Sequence, residues 1–168
     1  MKRGARKAFT LVEILIVVII LGILAAIVIP QFTEASGEAR VSNLMTNLQT
    51  IRSQLLLYKT QHLETYPAAG AGEDGTDFAD QMTQYTDVDG ALSATPDSDF
   101  PFGPYLQSVP VNPVSGDNAV TVVQAGDTAF SAPNADAGWW FNSVTGEFRA
   151  NLTDARTTTD GETKLNEL

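Results

Sequence analysis

One ionisable side chain, Glu13, lies inside an otherwise apolar stretch near the start of the chain. The run from Phe9 to Ile29 reads FTLVEILIVVIILGILAAIVI, and its only polar residues are Thr10 and Glu13. A carboxylate inside a lipid-spanning helix costs about 2.5 kcal/mol or more and is usually retained because it meets a partner. No cation accompanies Glu13 within the run, so the partner must be another chain, a lipid or a new amine created by cleavage. The alternative is that Glu13 reaches the headgroup level and has no role.

Side chains that could act as nucleophiles, bases or metal ligands are scarce elsewhere. The chain has no cysteine and a single histidine, His62. It therefore cannot form a disulfide, a thiol nucleophile or a cysteine-ligated metal site. One histidine also makes a histidine metal cluster or a Ser-His-Asp triad hard to build. Since no nucleophile and base pair and no phosphate loop stands out, we predict that the protein is not an enzyme.

Acidic loops offer a different chemistry, the coordination of calcium. Calcium takes six to eight oxygen ligands, and the candidate ligands are Asp87, Asp89, Asp97, Asp99 and Asp117. The sequence DVDG is only a fragment of the EF-hand pattern, because Ser98 stands where that pattern has a glutamate. The alternative is that these acids are solvated and keep the domain soluble. Calcium is the only cofactor that the sequence suggests.

Charge is distributed unevenly along the 168 residues, whose net charge is -10 with a pI near 4.3. Residues 1–8 contain no acid and four basic residues, Lys2, Arg3, Arg6 and Lys7. In contrast, no lysine or arginine occurs from Gln61 to Glu147. An acidic chain of this kind is repelled by phosphate backbones, so we do not expect nucleic acid as a partner.

The apolar run has the length of a membrane span. As a helix it measures about 32 Å, close to the roughly 30 Å of a bilayer's hydrocarbon core. We predict a leader at residues 1–8 and a transmembrane helix at residues 9–30, with the basic leader in the cytoplasm. The alternative is an ordinary secretory signal peptide, but Ala25-Ala26 matches the A-x-A cleavage pattern poorly because large branched residues surround it.

A second helical segment, the stem at residues 31–62, follows the span. Pro30 closes the apolar run, and a proline there predicts a kink or local unwinding. Apolar residues then recur at spacings of three and four, namely Val41, Leu44, Leu48, Ile51, Leu55 and Tyr58. This narrow stripe predicts the face on which a folded domain packs.

The remaining chain predicts a small α+β domain at residues 63–155. A short helix over Asp77 to Tyr85, capped by Thr76 or Asp77, precedes a proline-rich loop. Strand patterns follow at 119–124, 139–144 and 147–152. We expect a small antiparallel sheet of two to four strands packed on the long N-terminal helix.

Two local expectations concern the end of the chain. Trp139 and Trp140 are neighbours, so in a strand they face opposite sides, and a core position is the favoured interpretation of each. The tail at residues 156–168 is polar and is expected to be disordered.

The N-terminal segment RKAFTLVEILIVVIILGILAAIVIP resembles the type III signal of the type IV filament superfamily, which comprises type IV pilins and type II secretion pseudopilins. This resemblance implies that a prepilin peptidase cleaves between Ala8 and Phe9 and methylates the new amine of Phe9. It also implies that Glu13 pairs with a neighbour's N-terminus during assembly, and that helix near Pro30 melts when subunits pack. The family usually has glycine before the cleavage site, where this chain has Ala8.

A second resemblance covers the domain. YLQSVPVNP and GWWFNSVTGEFRANL resemble the C-terminal half of G-type major pseudopilins, which have a calcium site. It implies a subunit of a type II secretion pseudopilus, anchored in the inner membrane with its domain in the periplasm. The implied partners are copies of the chain, prepilin peptidase, the inner-membrane assembly platform, minor pseudopilins and membrane lipid.

Two alternatives stay open. One is a type IV pilin of a surface filament, and the other is a membrane-anchored binding module that does not polymerise. The lack of cysteine and the short domain favour the pseudopilin. Filament formation distinguishes the first two from the module, and loss of secretion distinguishes pseudopilin from pilin.

Overall fold

The computed structural model describes residues 9–70, 72–124, 137–152 and 164–165, with residues 30 and 32–34 described by their backbone alone. Its elements, in chain order, are α1 (Leu11–Gln61), α2 (Gly75–Thr83), β1 (Tyr85–Thr86), β2 (Leu92–Ser93), β3 (Val120–Val123), β4 (Trp139–Asn142) and β5 (Phe148–Ala150). The chain divides into two compact units, Met1–Glu38 and Ala39–Leu168. Helix α1 contributes its first part to one unit and its second part to the other.

The first unit is formed by the apolar part of α1. Its backbone is α-helical from Leu11 and continues through Pro30 without interruption. Proline removes one backbone hydrogen bond from a helix, yet local unwinding, which the sequence predicted as one outcome at this residue, is not observed.

The second unit is organised around the apolar stripe of α1. Leu44, Leu48, Ile51, Leu55 and Tyr58 are each no more than 2% exposed. This confirms the stripe predicted from spacing. The stripe packs in one cluster with aromatic and aliphatic side chains of the later elements, among them Phe78, Met82, Trp139, Phe141 and Phe148. Each large side chain buried in this way contributes about 1.5 to 3 kcal/mol of hydrophobic stabilisation.

Helix α2 begins two residues earlier than the sequence predicted, because a different aspartate caps it. The Asp74 carboxylate accepts a hydrogen bond from the Thr76 amide at 2.7 Å, and the Asp77 carboxylate accepts one from the Asp74 amide at 2.7 Å. These reciprocal bonds form a capping box. The hydrogen bond from the Thr76 amide is the main cause that lowers the pKa of the Asp74 carboxyl. Thr76 and Asp77, the predicted caps, therefore lie inside the helix.

The strands form two small sheets, which confirms an α+β fold on a long helix. Strands β1 and β2 pair antiparallel, and so do β4 and β5. Strand β3, however, lies parallel to β4 in the order β3-β4-β5. Parallel neighbours need a crossover connection, which a short hairpin turn cannot supply. The alternation of residues within a strand carries no information about this direction.

Both tryptophans belong to the interior, as expected from the sequence. Trp139 is 0% exposed and Trp140 is 1% exposed, and the Trp139 indole donates to the Pro110 carbonyl at 2.8 Å. Leu165 is also buried in the core cluster. The expectation of a disordered tail is therefore wrong for Leu165, because this side chain is apolar and finds a place against the core. The tail residues 156–163 and 166–168 lie outside the described residues.

Arg52 ties the stem part of α1 to the edge of the larger sheet. Its guanidinium donates twice to the Phe148 carbonyl of β5, from Nε at 3.1 Å and from Nη2 at 2.7 Å. A sheet edge carries unpaired backbone groups. The arginine fork satisfies one of them with a charge-assisted bond.

The single histidine fixes the end of α1 against β1. His62 is 2% exposed, and its ring stacks on Tyr58 with centroids 3.7 Å apart. Nδ1 lies 2.8 Å from the Tyr58 carbonyl, and Nε2 lies 2.9 Å from Thr86 Oγ1. Because a carbonyl only accepts, Nδ1 carries the proton and the neutral Nε2 accepts from the threonine hydroxyl. Burial lowers the pKa of His62 below its ordinary value, against smaller opposing contributions from the Tyr58 carbonyl and Asp87.

This lowered pKa predicts a pH dependence of stability. The folded state binds fewer protons at His62 than the unfolded state, whose pKa is near 6.5, so the free energy of unfolding rises with pH through that region. The stabilisation is fully present above pH 6.5 and decreases as the pH falls below it. Urea unfolding of the full chain in detergent between pH 5.5 and 7.5 measures this slope. In His62→Asn the slope should become smaller whatever the variant's absolute stability, and an unchanged slope would contradict the assignment.

Gly146 provides a second prediction. Its φ is +77°, and a Cβ on it would overlap the Tyr66 ring. Gly116 has a φ of +82° but no atom within 4 Å of such a Cβ. We expect Gly116→Ala to cost about 1 kcal/mol, the backbone penalty alone, and Gly146→Ala to cost about 3 kcal/mol. Equal losses in urea unfolding would mean that Tyr66 moves aside without cost.

Candidate processing and assembly site

Thr10 and Glu13 form a capping box at the start of α1. The Glu13 carboxylate accepts from the Thr10 amide and from the Thr10 hydroxyl, both at 2.9 Å, and both bonds use Oε2. In return, the Glu13 amide donates to Thr10 Oγ1 at 3.2 Å. Backbone amides at a helix start have no partner within the helix, and these bonds satisfy two of them. The T-x-x-E spacing before an apolar run is the sequence signal of this motif, and the sequence analysis missed it.

The cap leaves half of the carboxylate available. Glu13 Oε1 has no hydrogen-bond partner among the described residues, whereas Oε2 accepts two bonds. A carboxylate has about four acceptor positions, so Oε1 can receive an external donor without loss of the cap. One side chain can therefore fix the start of the helix and at the same time bind a cation from outside the chain.

Phe9 lies immediately before this cap and is 81% exposed. Ala8, the residue expected on the other side of the cleavage site, lies outside the described residues. An amine created at Phe9 would stand at the positive end of the helix dipole, which disfavours a cation. A carboxylate close by offsets that penalty, and Glu13 supplies one within the first turn.

The helix behind the cap is long and apolar enough to cross a membrane. The span Leu11–Ile29 has a mean hydropathy of 3.3, and none of it is buried within the structure. Side chains along the whole circumference are exposed, from Leu11 at 81% to Val28 at 45%. A helix that is apolar all round needs an apolar environment to cover it.

The five candidate calcium ligands lie in loops, outside the helices and strands. Asp87 Oδ1 accepts from the amides of residues 89 and 91 at 3.0 and 2.8 Å. Asp97 Oδ1 accepts from the amides of residues 99 and 100 at 2.8 and 3.1 Å. Asp117 Oδ1 accepts from the residue 119 amide at 3.1 Å. Within the described ranges no three acids or histidines form a group that could hold a metal ion, so Asp89 and Asp99 do not complete one, and calcium binding stays a prediction.

Comparison with known protein families gives a match at the N-terminal end of the chain, where the candidate processing and assembly site lies. Residues 3–29 match the model of the prokaryotic N-terminal methylation motif. The chain is 39% identical to the type II secretion system core protein G of Pseudomonas aeruginosa over 72 residues, which is 43% of this chain and 50% of that protein. Over 145 residues it is 26% identical to core protein G of Klebsiella pneumoniae, covering 80% of this chain and 94% of that protein.

A pilin is also among the relatives. The type IV major fimbrial protein FimA of Dichelobacter nodosus is 42% identical over 53 residues, 32% of this chain and 34% of that protein. The match spans about half the length of the Pseudomonas aeruginosa and Klebsiella michiganensis core proteins. No solved structure matches the chain.

The methylation motif, the apolar helix and the α+β fold support an assignment of the chain to the type IV pilin superfamily. Within that superfamily, the similarity to core protein G supports a pseudopilin of the G type.

The capping box yields a prediction that concerns the helix start alone. Thr10→Val keeps the size of the side chain but removes the hydroxyl that bonds both the Glu13 amide and carboxylate. We expect the Glu13 amide to exchange its hydrogen about fivefold faster, the effect of losing roughly 1 kcal/mol of capping energy. Nuclear magnetic resonance of the chain in detergent micelles measures this rate. Thr10→Ser retains the hydroxyl and should exchange as the parent does; if it resembles Thr10→Val, the hydroxyl is not the cause.

Proposed function

We propose that the protein is a structural subunit of a type II secretion pseudopilus that polymerises through its N-terminal helix. The observation that carries the proposal is the start of α1. There a carboxylate with one unused oxygen lies in the first turn of an apolar helix of membrane length, none of which is buried within the structure. Because the methylation motif covers the same residues, the chain holds both the group that would bind a neighbour's amine and the signal for producing that amine.

Maturation is the first step of the proposal. Prepilin peptidase cleaves between Ala8 and Phe9 and N-methylates Phe9. The small side chain of Ala8 substitutes for the glycine usual before the site. Removal of the leader takes away four basic residues, which leaves Phe9 as the cation nearest to the apolar helix.

Assembly is the second step. In an apolar environment an unpaired carboxylate is costly, while a carboxylate paired with an amine and held by further hydrogen bonds is not. The amine of Phe9 on one subunit provides this charge for Glu13 Oε1 on the next. Helix near Pro30 then loosens as neighbouring helices pack together, since proline leaves that turn one hydrogen bond short.

Topology and partners follow from the same residues. The basic leader stays in the cytoplasm, and the acidic domain lies in the periplasm. The subunit is held in the inner membrane by its apolar helix until the assembly platform adds it to the filament with minor pseudopilins. Copies of the chain and membrane lipid are the direct neighbours of the helix, and the growing filament drives protein export across the outer membrane.

A surface type IV pilus is the second candidate, favoured by the similarity to FimA. That similarity covers only 32% of the chain, whereas the Klebsiella pneumoniae core protein G aligns with 80% of it. The longer alignment includes domain residues, so the pseudopilus is the better supported of the two.

The intact mass and N-terminal sequence of the protein from its native membranes test maturation. A chain that begins at methylated Phe9 is the expected result. Ala8→Leu should block cleavage if the peptidase requires a small residue, and the chain would then retain Met1. A wild-type chain that begins at Met1 would contradict the proposal and leave a simple membrane-anchored module.

Assembly is tested by Glu13→Leu, which removes the charge but preserves the apolar helix. We expect the variant to insert into membranes normally and to lower the filament yield about tenfold or more, as loss of roughly 1.4 kcal/mol per contact would. Glu38→Leu changes an exposed glutamate on the same helix outside the apolar span and should leave the yield unchanged. Electron microscopy with quantitative immunoblotting of sheared filaments measures both. A normal yield from Glu13→Leu would exclude the proposed role.

A further inference from the structure

A cavity of about 270 Å³ opens where α1 ends, and neither maturation nor the N-terminal contact uses it. Its lining includes Tyr58, His62, Leu63, Tyr66, Glu73 and Asp89. We call it the α1-end pocket. All these residues belong to the second unit, Ala39–Leu168.

An exposed leucine in a strained conformation borders this pocket. Leu63 lies two residues after the end of α1 and has a φ of +53°, in the left-handed region that is usually occupied by glycine after a helix. Its side chain is nevertheless 72% exposed, and Val88, also at the pocket, is 41% exposed. Packing within the chain does not account for an apolar side chain that is both exposed and strained, and residues in such conformations are enriched at functional sites.

The charge of the pocket is negative. The Asp89 carboxylate has no partner among the described residues. Glu73 accepts from the Gly70 amide at 2.7 Å and from the Gln81 amide group at 3.3 Å, and a carboxylate has room for further donors. Lys59 is already engaged, because it pairs with Glu64 at 3.3 Å and lies over the Tyr66 ring. The pocket therefore suits a cationic side chain with an apolar stem, and an arginine combines both.

The same unit carries a matching arginine. Four of its described cations already have an interaction: Arg52 bonds Phe148, Lys59 pairs with Glu64, Arg149 pairs with Glu147, and Lys164 is also engaged. Arg40 is exposed and has no hydrogen-bond or ion-pair partner in the described part of the chain. It precedes His62 on α1 by about 33 Å at 1.5 Å per residue. This separation prevents Arg40 from reaching the α1-end pocket of its own chain.

We propose that Arg40 of one copy docks in the α1-end pocket of a second copy, with its guanidinium on Asp89 and Glu73 and its stem against Leu63 and Val88. The choice of a second copy as the occupant rests on the proposed polymerisation. Since the two surfaces are different patches of one chain, the contact is head-to-tail and leaves a free patch at each end. It therefore extends into a row of subunits and does not close into a dimer.

The lack of cysteine allows a direct test by disulfide trapping in full-length chain in its native membranes. Arg40→Cys combined with Asp89→Cys should give an oxidation ladder of dimers, trimers and longer oligomers, because each chain carries both halves of the contact. Either single variant can join only two copies and should stop at a dimer. The matched control is Arg40→Cys with Asp97→Cys, another exposed aspartate outside the pocket. Equal ladders from the two double variants would overturn the proposal.

A charge exchange provides the second measurement. Arg40→Asp and Asp89→Arg should each lower filament yield about fivefold, the effect of one ion pair at an interface. The double variant should recover it, whereas Arg40→Asp with Asp97→Arg should not. A normal filament yield without the oxidation ladder of Arg40→Cys with Asp89→Cys would overturn this contact. The proposal of a pseudopilus subunit would then still stand. Membranes that contain neither filaments nor the ladder would overturn both the Arg40 contact and the proposed pseudopilus. Arg40 would then face lipid or another protein.

Discussion

The side chains of one helix, α1, must fit two different environments along its length, and the rest of the structure depends on this constraint. From Leu11 to Ile29 the helix is apolar on every face and buries none of it in the chain. From Leu44 to Tyr58 it is apolar on one stripe, and that stripe is the core of the domain. Apolar side chains surround the first segment, which therefore needs lipid or other helices to cover it. They occupy only one face of the second segment, which can therefore pack against its own domain.

At the start of the helix, a single carboxylate caps the first turn and leaves one of its oxygens available. Glu13 Oε2 holds the first turn through Thr10, so the side chain is already in position before any partner arrives. A preorganised acceptor loses little conformational entropy on binding. The chain can therefore carry an unpaired charge near an apolar surface at a modest cost and still present it in a fixed direction.

The sequence predicted the features that depend on interactions between residues close together in the chain. The spacing of Leu44, Leu48, Ile51 and Leu55 depends only on helical periodicity, and the stripe was predicted correctly. The start of α2 was wrong by two residues because Asp74, Thr76 and Asp77 are all competent caps, and the reciprocal bond of Asp74 and Asp77 decides among them. Contacts between distant residues left no such signal: the parallel pairing of β3 with β4, the Arg52 bonds to β5 and the α1-end pocket all require the folded chain.

The burial of both Leu44 and Leu165 in one core cluster has a consequence for biosynthesis. The core draws on residues separated by about 120 positions, and contacts so far apart cannot form until both ends have been made. At a ribosomal rate of about 5 to 20 residues per second, α1 is complete several seconds before its last core partner emerges. During that interval the apolar stripe of the stem has no core partner from the end of the chain. The stripe is narrow and is bordered by polar residues such as Thr46, Gln49 and Ser53, so the stem exposes little apolar surface before the core is complete.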